Sequence, residues 1–182
     1  MVRLTARDDG FSLLEVMAAM FVLTVGLLSL VGVAAVGVQR VGQSSPTLIA
    51  REKAREAIES VHAARDTGEL TWATIRNVPA GGIFVVGPQD LRLPGVDGIV
   101  NTADDGAIET IRTAGADNVL NNSDDVITEL TNFTREIQIE TLNYDGTTTV
   151  NPNLRQITVT ISYLANTTWR DYTITTYISA YS

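Results

Sequence analysis

The stretch Gly10-Phe11-Ser12-Leu13-Leu14-Glu15 decides the fold, because it opens a run to Val38 in which Glu15 is the only charged residue. As an α-helix, the 28 residues from Phe11 to Val38 would be about 42 Å long, which exceeds the roughly 30 Å hydrocarbon core of a bilayer. We therefore predict that this helix is inserted in a membrane at some stage.

Glu15 is energetically unfavourable in such a helix, since insertion of an ionisable side chain at the centre of a membrane helix costs on the order of 3 kcal/mol. Its position near the start of the apolar run lets it reach interfacial water. If the chain is cleaved before Phe11, the new amino group has a pKa of about 8 and is mostly cationic at neutral pH. A Glu15 carboxylate can then neutralise the amine of a neighbouring subunit inside an apolar helical bundle, where either unpaired charge costs several kcal/mol.

The same residues resemble a type IV prepilin signal, in which a short polar leader ends in glycine and Phe-Thr/Ser-Leu-hydrophobic-Glu begins an apolar helix. The resemblance implies that prepilin peptidase cleaves between Gly10 and Phe11, that the Phe11 amine is methylated, and that Glu15 sets the register of a filament. The continuation over residues 21–30 is similar to PilV-type minor pilins and to minor pseudopilins of type II secretion.

Other routes to the membrane fit less well. A secretory signal peptide has an apolar core of about 7 to 15 residues, which is shorter than this run. The chain has no cysteine, which closes the lipoprotein route and excludes disulfide bonds. The alternative to a prepilin signal is a permanent membrane anchor whose Glu15 lies at the lipid headgroups.

The pattern predicts four parts: a leader over 1–10, an apolar helix over 11–41, an amphipathic helix over 42–66 and a β domain over 67–182. Gly42 and Pro46 predict a break or bend between the two helices. Apolar residues then recur at helical spacing, which predicts one core-facing side. These residues are Ile49, Ala54, Ala57, Ile58, Val61 and Ala64.

Three later segments alternate apolar with polar residues, which is typical of half-buried strands. They cover residues 135–140, 157–163 and 172–178, and short turn-rich links between them favour an antiparallel meander. Residues 82–86 are a candidate fourth strand. The predicted fold class is α+β, with a long N-terminal transmembrane and spine helix followed by a small antiparallel sheet domain, as in pilins.

An acidic insertion over 95–129 contains two copies of one pattern, the first repeat (residues 95–109) and the second repeat (residues 115–129). Each residue of the pattern recurs twenty positions later, so that Gly95 matches Gly115 and Glu109 matches Glu129. Nine acids and two bases lie between residues 90 and 129, which accounts for most of the net charge of −8.

Clustered carboxylates with asparagine and turn-forming glycine are typical of calcium sites, since Ca²⁺ takes six to eight oxygen ligands in flexible geometry. The repeat resembles aspartate-rich calcium-binding loops of exported bacterial proteins, and calcium is the predicted cofactor. A solvated acidic insertion without metal is the alternative. The candidate ligands are Asp97, Asn101, Asp104, Asp105, Asp117, Asn121, Asp124 and Asp125.

No catalytic pattern is visible in the sequence, and we predict no enzymatic activity. His62 is the only histidine and there is no cysteine, so the ordinary nucleophile–base pairs and zinc ligand sets are missing. A pI near 4.5 argues against the basic surface that nucleic-acid binding requires.

The sequence therefore predicts a minor type IV pilin or pseudopilin that is assembled through its N-terminal helix. The expected partners are other pilin subunits, prepilin peptidase, the inner-membrane assembly platform and, before assembly, membrane lipid; no direct contact with nucleic acid is expected. The expected location is the cytoplasmic membrane as a single-pass protein, then a cell-surface or periplasmic filament. Alternatives are a membrane-anchored calcium-dependent adhesion or binding protein and, third, an anchored hydrolase with paired carboxylates.

Overall fold

The computed structural model describes residues 12–181, and the side chains of residues 12–34 and 45–181. Helix α1 spans Leu13–Asp66, and a short 3₁₀ turn spans Val78–Ala80. The chain divides into two compact units between Ser44 and Ser45. The strands are β1 (Gln89–Asp90), β2 (Thr110–Thr113), β3 (Val126–Glu129), β4 (Phe133–Asn143), β5 (Val150–Ala165) and β6 (Thr168–Ser179).

The N-terminal unit contains the predicted apolar helix. Within the described residues, one helical segment is long and apolar enough to cross a membrane, the 22 residues Leu13–Ala34. The side chains from Ser12 to Ala34 are all exposed. An apolar helix with no protein cover fits anchoring in lipid, because its main-chain groups are bonded within the helix.

Helix α1 continues through Pro46, so it is not interrupted at Gly42–Pro46, whereas the predicted bend stays a prediction. Proline removes one main-chain hydrogen bond from a helix interior and costs about 3 kcal/mol. The turns that follow Pro46 are held by tertiary packing, since Ala50 and Ala54 are fully buried.

Among the described side chains, the core residues lie in the C-terminal unit, where one side of α1 packs against the sheet. The helix contributes small residues to the core, and the sheet contributes branched ones from its inward face. Small side chains let a helix approach a sheet closely, and four of the residues predicted to face the core, Ala54, Ala57, Val61 and Ala64, are buried on this side. The main contributors are Ala50, Ala54, Ala57, Val61, Ala64, Ile137, Ile157, Val159, Ile161 and Ile178.

The four-stranded sheet has the order β1-β4-β5-β6, and its neighbouring strands are antiparallel. Ile137 of β4 lies opposite Val159 of β5, which lies opposite Ile174 of β6. The predicted antiparallel meander is confirmed, and the three strands are longer than the alternating segments that predicted them. A separate two-stranded sheet pairs β2 with β3.

Residues 82–86 do not form the fourth strand, whose place is taken by β1 next to β4. Phe84 makes only a single parallel bridge, to Asn77. The main chain here bonds to loop residues instead, since the Phe84 N–H donates to Arg76 O and the Val85 N–H donates to Asn101 O. The segment is therefore a connection between the turn after α1 and the first repeat, with Phe84 as its buried residue.

Arg155 is a buried guanidinium beneath the turn that follows α1. Its Nη1 donates to the carbonyl oxygens of Trp72 and Ile75, and its Cζ lies 4.0 Å from the centroid of a Trp72 ring. Burial, together with the nearby charges of Arg76 and Arg65, lowers the pKa of Arg155 to about 10. These contacts tie the turn to β5.

Candidate functional site

Helix α1 begins one residue after Ser12, whose side chain caps it. The Glu15 N–H donates to Ser12 Oγ at 3.3 Å and to the Ser12 carbonyl oxygen at 3.0 Å. Serine is a preferred N-cap, and a carboxylate in the first turn is stabilised by the helix dipole. The exposed Glu15 is therefore compatible with the start of the helix, whereas Gly10 and Phe11 lie outside the described residues.

The two acidic repeats form the same loop. In the first repeat, the Ile99 N–H donates to Asp97 Oδ1 at 2.9 Å and the Asn101 N–H donates to Asp105 Oδ2 at 2.8 Å. In the second repeat, the equivalent N–H groups of Val119 and Asn121 donate to Asp117 at 2.9 Å and to Asp125 at 2.7 Å. The sequence repeat is thus also a structural repeat.

The end of each loop is closed onto its beginning by a third aspartate. Asp104 Oδ2 accepts the N–H groups of Val96 at 2.8 Å and Asp97 at 3.3 Å. A hydrogen bond from the Thr102 hydroxyl, together with these N–H groups, lowers the pKa of Asp104. Asp124 takes the same place in the second repeat and accepts the Asp117 N–H at 3.4 Å.

The closure explains the glycine at the head of each repeat. A Cβ on Gly95 would lie 2.4 Å from the carbonyl oxygen of Asp104, and a Cβ on Gly115 would lie 2.3 Å from that of Asp124. Real Cβ atoms do not approach main-chain atoms so closely, so only glycine fits without a shift of the loop.

The backbone conformation also repeats. Asn101 and Asn121 have φ of 67° and 71°, and the preceding turn has φ of 67° at Gly98 and 56° at Asn118. Glycine and asparagine are the residues that adopt this left-handed conformation most readily. The asparagines of the repeat therefore have a conformational role that is separate from metal binding.

The eight candidate calcium ligands lie in these two loops, four in each. Several of their carboxylate oxygens accept main-chain N–H groups, as at Asp97, Asp104 and Asp105. Among the residues that the structure describes, no group of three or more histidine or acidic side chains is arranged to hold a metal ion. Calcium binding stays a prediction.

A buried ion-pair network anchors the first repeat to the rest of the domain. Lys53 Nζ of α1 lies 2.5 Å from Glu109 Oε2, and Arg135 Nη1 of β4 lies 3.3 Å from Glu109 Oε1. Arg135 Nη2 also lies 3.8 Å from Asp105 Oδ2. The Arg135 and Glu109 side chains are both almost fully buried.

The network shifts the pKa of its cations in opposite directions. Burial lowers the pKa of Lys53, but its bonds to Glu109 and Glu56 outweigh that effect and leave the pKa raised. For Arg135 burial dominates, and its pKa is lowered despite the charges of Glu109 and Asp105. A buried charge of this kind is tolerated only while its partners remain in place.

Our sequence analysis missed this network, although one signal for it is present. Arg135 shares a strand face with Ile137 and Ile139, because residues two apart in a strand point to the same side. A cation on the apolar face of a strand requires a buried partner. The sequence does not identify that partner as Glu109, which lies in another element.

The comparisons with known proteins concern the N-terminal segment. Residues 5–31 match the family model described as the prokaryotic N-terminal methylation motif. This chain carries a type IV pilin-like prepilin signal. The prepilin signal implies processing by a peptidase and assembly with other pilins, and its apolar helix fits membrane anchoring.

The prepilin signal covers Gly10, Phe11 and Glu15 but ends well before the C-terminal unit. No curated protein matched the chain. No solved structure matched it either.

Proposed function

We propose that this protein is a minor type IV pilin or a type II secretion pseudopilin. Prepilin peptidase cleaves it between Gly10 and Phe11, and it then enters a filament through its N-terminal helix. The observation that carries this proposal is the methylation motif at residues 5–31, which continues into the apolar segment Leu13–Ala34. The antiparallel sheet packed on the C-terminal part of α1 agrees with a pilin-like fold.

Glu15 is the assembly residue in this proposal. Its carboxylate is exposed within an apolar helical surface, and in the sequence it lies four residues after Phe11, which becomes the new N-terminus. The amine of Phe11 in a neighbouring subunit is the natural partner, because pairing removes two unpaired charges from an apolar bundle. The pair fixes one register between neighbouring helices, whereas apolar contacts alone would allow several.

The partners in this proposal are other pilin subunits, the peptidase and the inner-membrane assembly platform. The protein is held in the cytoplasmic membrane before assembly and in a surface or periplasmic filament afterwards. The C-terminal unit remains outside the membrane and exposes the second acidic repeat. No turnover of a substrate is involved.

The first test is mass spectrometry of the N-terminal peptide after expression with a prepilin peptidase. We expect a chain that begins with methylated Phe11. A chain that retains Met1 under conditions where a known prepilin is cleaved would contradict the proposal. That result would favour a permanent membrane anchor.

The second test separates assembly from anchoring. We expect Glu15→Ala to leave membrane insertion intact and to reduce incorporation into filaments strongly, because the Phe11 amine loses its partner. Glu59→Ala is the matched control, since it removes another exposed carboxylate from the same helix. Equal incorporation of the two variants would rule out the assigned role of Glu15.

A further inference from the structure

The two repeats have the same loop but different surroundings. Ile99 and Val100 of the first repeat are 1% and 2% exposed, whereas the equivalent Val119 and Leu120 of the second repeat are 56% and 53% exposed. One sequence pattern therefore lies against the domain in its first copy and against solvent in its second.

The contacts that cover the first repeat come from the rest of the same domain. Ile99 and Val100 belong to the hydrophobic core. Asn101 makes two hydrogen bonds to the main chain of Val85. The Asn101 side-chain Nδ2 donates to Val85 O at 2.9 Å, and the Asn101 main-chain carbonyl oxygen accepts the Val85 N–H at 2.9 Å. The repeat is thus held by an apolar recess and a main-chain edge.

The charge at the end of the first repeat is also covered. Glu109 is 2% exposed and is neutralised by Lys53 and Arg135. Glu129 takes its place in the second repeat and is exposed. In the part of the chain that the structure describes, Glu129 belongs to no ion pair.

The second repeat also carries larger apolar side chains than the first. Gly106 and Ala107 of the first repeat correspond to Val126 and Ile127, which are 55% and 58% exposed. Ile127 shares one side of β3 with Glu129, and Val126 lies on the other side. The second-repeat face is therefore defined by the exposed equivalents of the residues that the first repeat buries, Val119, Leu120, Asn121 and Glu129. Exposed apolar patches with a polar border mark protein interaction sites.

We propose that the second-repeat face docks on a neighbouring, different protein subunit. That subunit offers the chemistry that this chain offers to its own first repeat: an apolar recess for Val119 and Leu120, a main-chain edge for Asn121, and a lysine or arginine for Glu129. This docking surface is separate from the N-terminal helix that mediates assembly. The inference rests on the proposed function, because the filament supplies the neighbouring subunit.

Charge decides between the possible occupants of this face. A second copy of the chain also has a net charge of −8, and its Lys53 and Arg135 already hold its own first repeat. An anionic lipid surface would repel the acidic repeats. A basic protein surface is complementary in charge to Glu129, and the same surface can also cover the apolar side chains of Val119 and Leu120.

The test uses the absence of cysteine from the natural chain. Full-length Leu120→Cys is produced in cells that assemble the filament, labelled in isolated envelopes with benzophenone maleimide, and irradiated. Tyr144→Cys is the control, since this residue is similarly exposed on a different loop. We expect Leu120→Cys to form a cross-link to a different protein whose captured peptide contains a lysine or arginine among apolar residues.

A charge swap completes the test. We expect Glu129→Arg to reduce the cross-link about tenfold or more, because an ion pair becomes a repulsion at the interface. Exchanging the partner's basic residue for glutamate restores the cross-link to the Glu129→Arg chain. Glu129 is exposed, so this variant keeps the fold of the domain.

Several results would overturn the docking inference: no cross-link above the Tyr144→Cys control, a cross-link only to lipid or to a second copy, or one that Glu129→Arg leaves unchanged. The mature N-terminus is read by mass spectrometry from the same envelopes. A processed chain without the cross-link refutes docking alone, whereas an unprocessed chain refutes the proposed function.

Discussion

Lys53 of α1 and Glu109 of the first repeat form an ion pair with Nζ and Oε2 2.5 Å apart. The opposite oxygen of Glu109 faces Arg135 of β4, so one carboxylate joins the helix, the repeat and the sheet. The first repeat is therefore an integral part of the domain rather than a solvated insertion.

Replacing Arg135 tests how much this ion-pair network contributes to the free energy of unfolding. We expect Arg135→Met to lower the free energy of unfolding by about 3 to 5 kcal/mol, because Glu109 and Asp105 lose a buried cation. Urea unfolding of Ser45–Ser182, which contains the whole described core, measures the change. Arg55→Met is the control, since the Arg55–Glu59 pair lies in solvent and its loss is expected to fall within error. Equal losses for the two variants would contradict the buried network.

Alanine substitutions at two glycines of the first repeat are expected to affect the stability of the domain differently. We expect Gly95→Ala to destabilise the domain by about 1 to 3 kcal/mol, because the added Cβ overlaps the Asp104 main chain. Gly106→Ala meets its nearest atom at 3.6 Å and is expected to be neutral or to stabilise by up to about 1 kcal/mol. Thermal unfolding of the two variants measures the difference. A tolerated Gly95→Ala would show that the loop is more loosely closed.

The equivalent asparagines form a matched pair with different burial. Asn101→Ala and Asn121→Ala impose the same left-handed strain, since φ is 67° and 71°. We expect Asn101→Ala to cost about 1 to 3 kcal/mol more, because only Asn101 donates from a buried side chain to Val85 O. Urea unfolding of both variants tests this, and Asn121→Gly is expected to remove the strain alone. Similar losses for both alanine variants would place Asn101 outside the core.

Protonation of Asp104 at low pH is expected to open the first repeat locally. Its pKa in the folded chain lies below its ordinary value of 3.8, so its stabilising contribution is complete above pH 3.8 and is lost as the pH falls through the folded pKa. We expect the amide hydrogens of Val96 and Asp97 to lose protection from exchange in that acidic range, while Val159 in the core sheet remains protected.

The control for acid opening is Asp104→Asn, which cannot titrate at this position. Its Val96 and Asp97 amides are expected to exchange with no step in that pH range. If the step persists in Asp104→Asn, another acid controls the loop.

The sequence was sufficient for β4, β5, β6 and the start of α1, but not for β1, β2 and β3 or for the partners of these elements. Alternation predicted β4, β5 and β6, since each buries one face, and the apolar run predicted the start of α1. Pro46 misled the prediction of a helix break, because packing of Ala50 and Ala54 is a tertiary effect that local preference does not contain.

The repeat shows a second limit of sequence reasoning. The period of twenty residues predicted two equivalent loops, and the loops are equivalent in their hydrogen bonds. It did not predict that Ile99 is buried while Val119 is exposed. Burial depends on what the rest of the chain places beside each copy, and similar residues in the two copies carry no information on that.

The closed hydrogen bonding of each repeat has a consequence for how such proteins can diversify. Each loop satisfies its own main-chain donors through its own aspartates, and both copies lie in the connection between β1 and β4. The exposed second copy can therefore be gained, lost or exchanged as one unit without disturbing a strand of the main sheet. The first copy keeps the architecture intact, which leaves the second free to acquire new specificity.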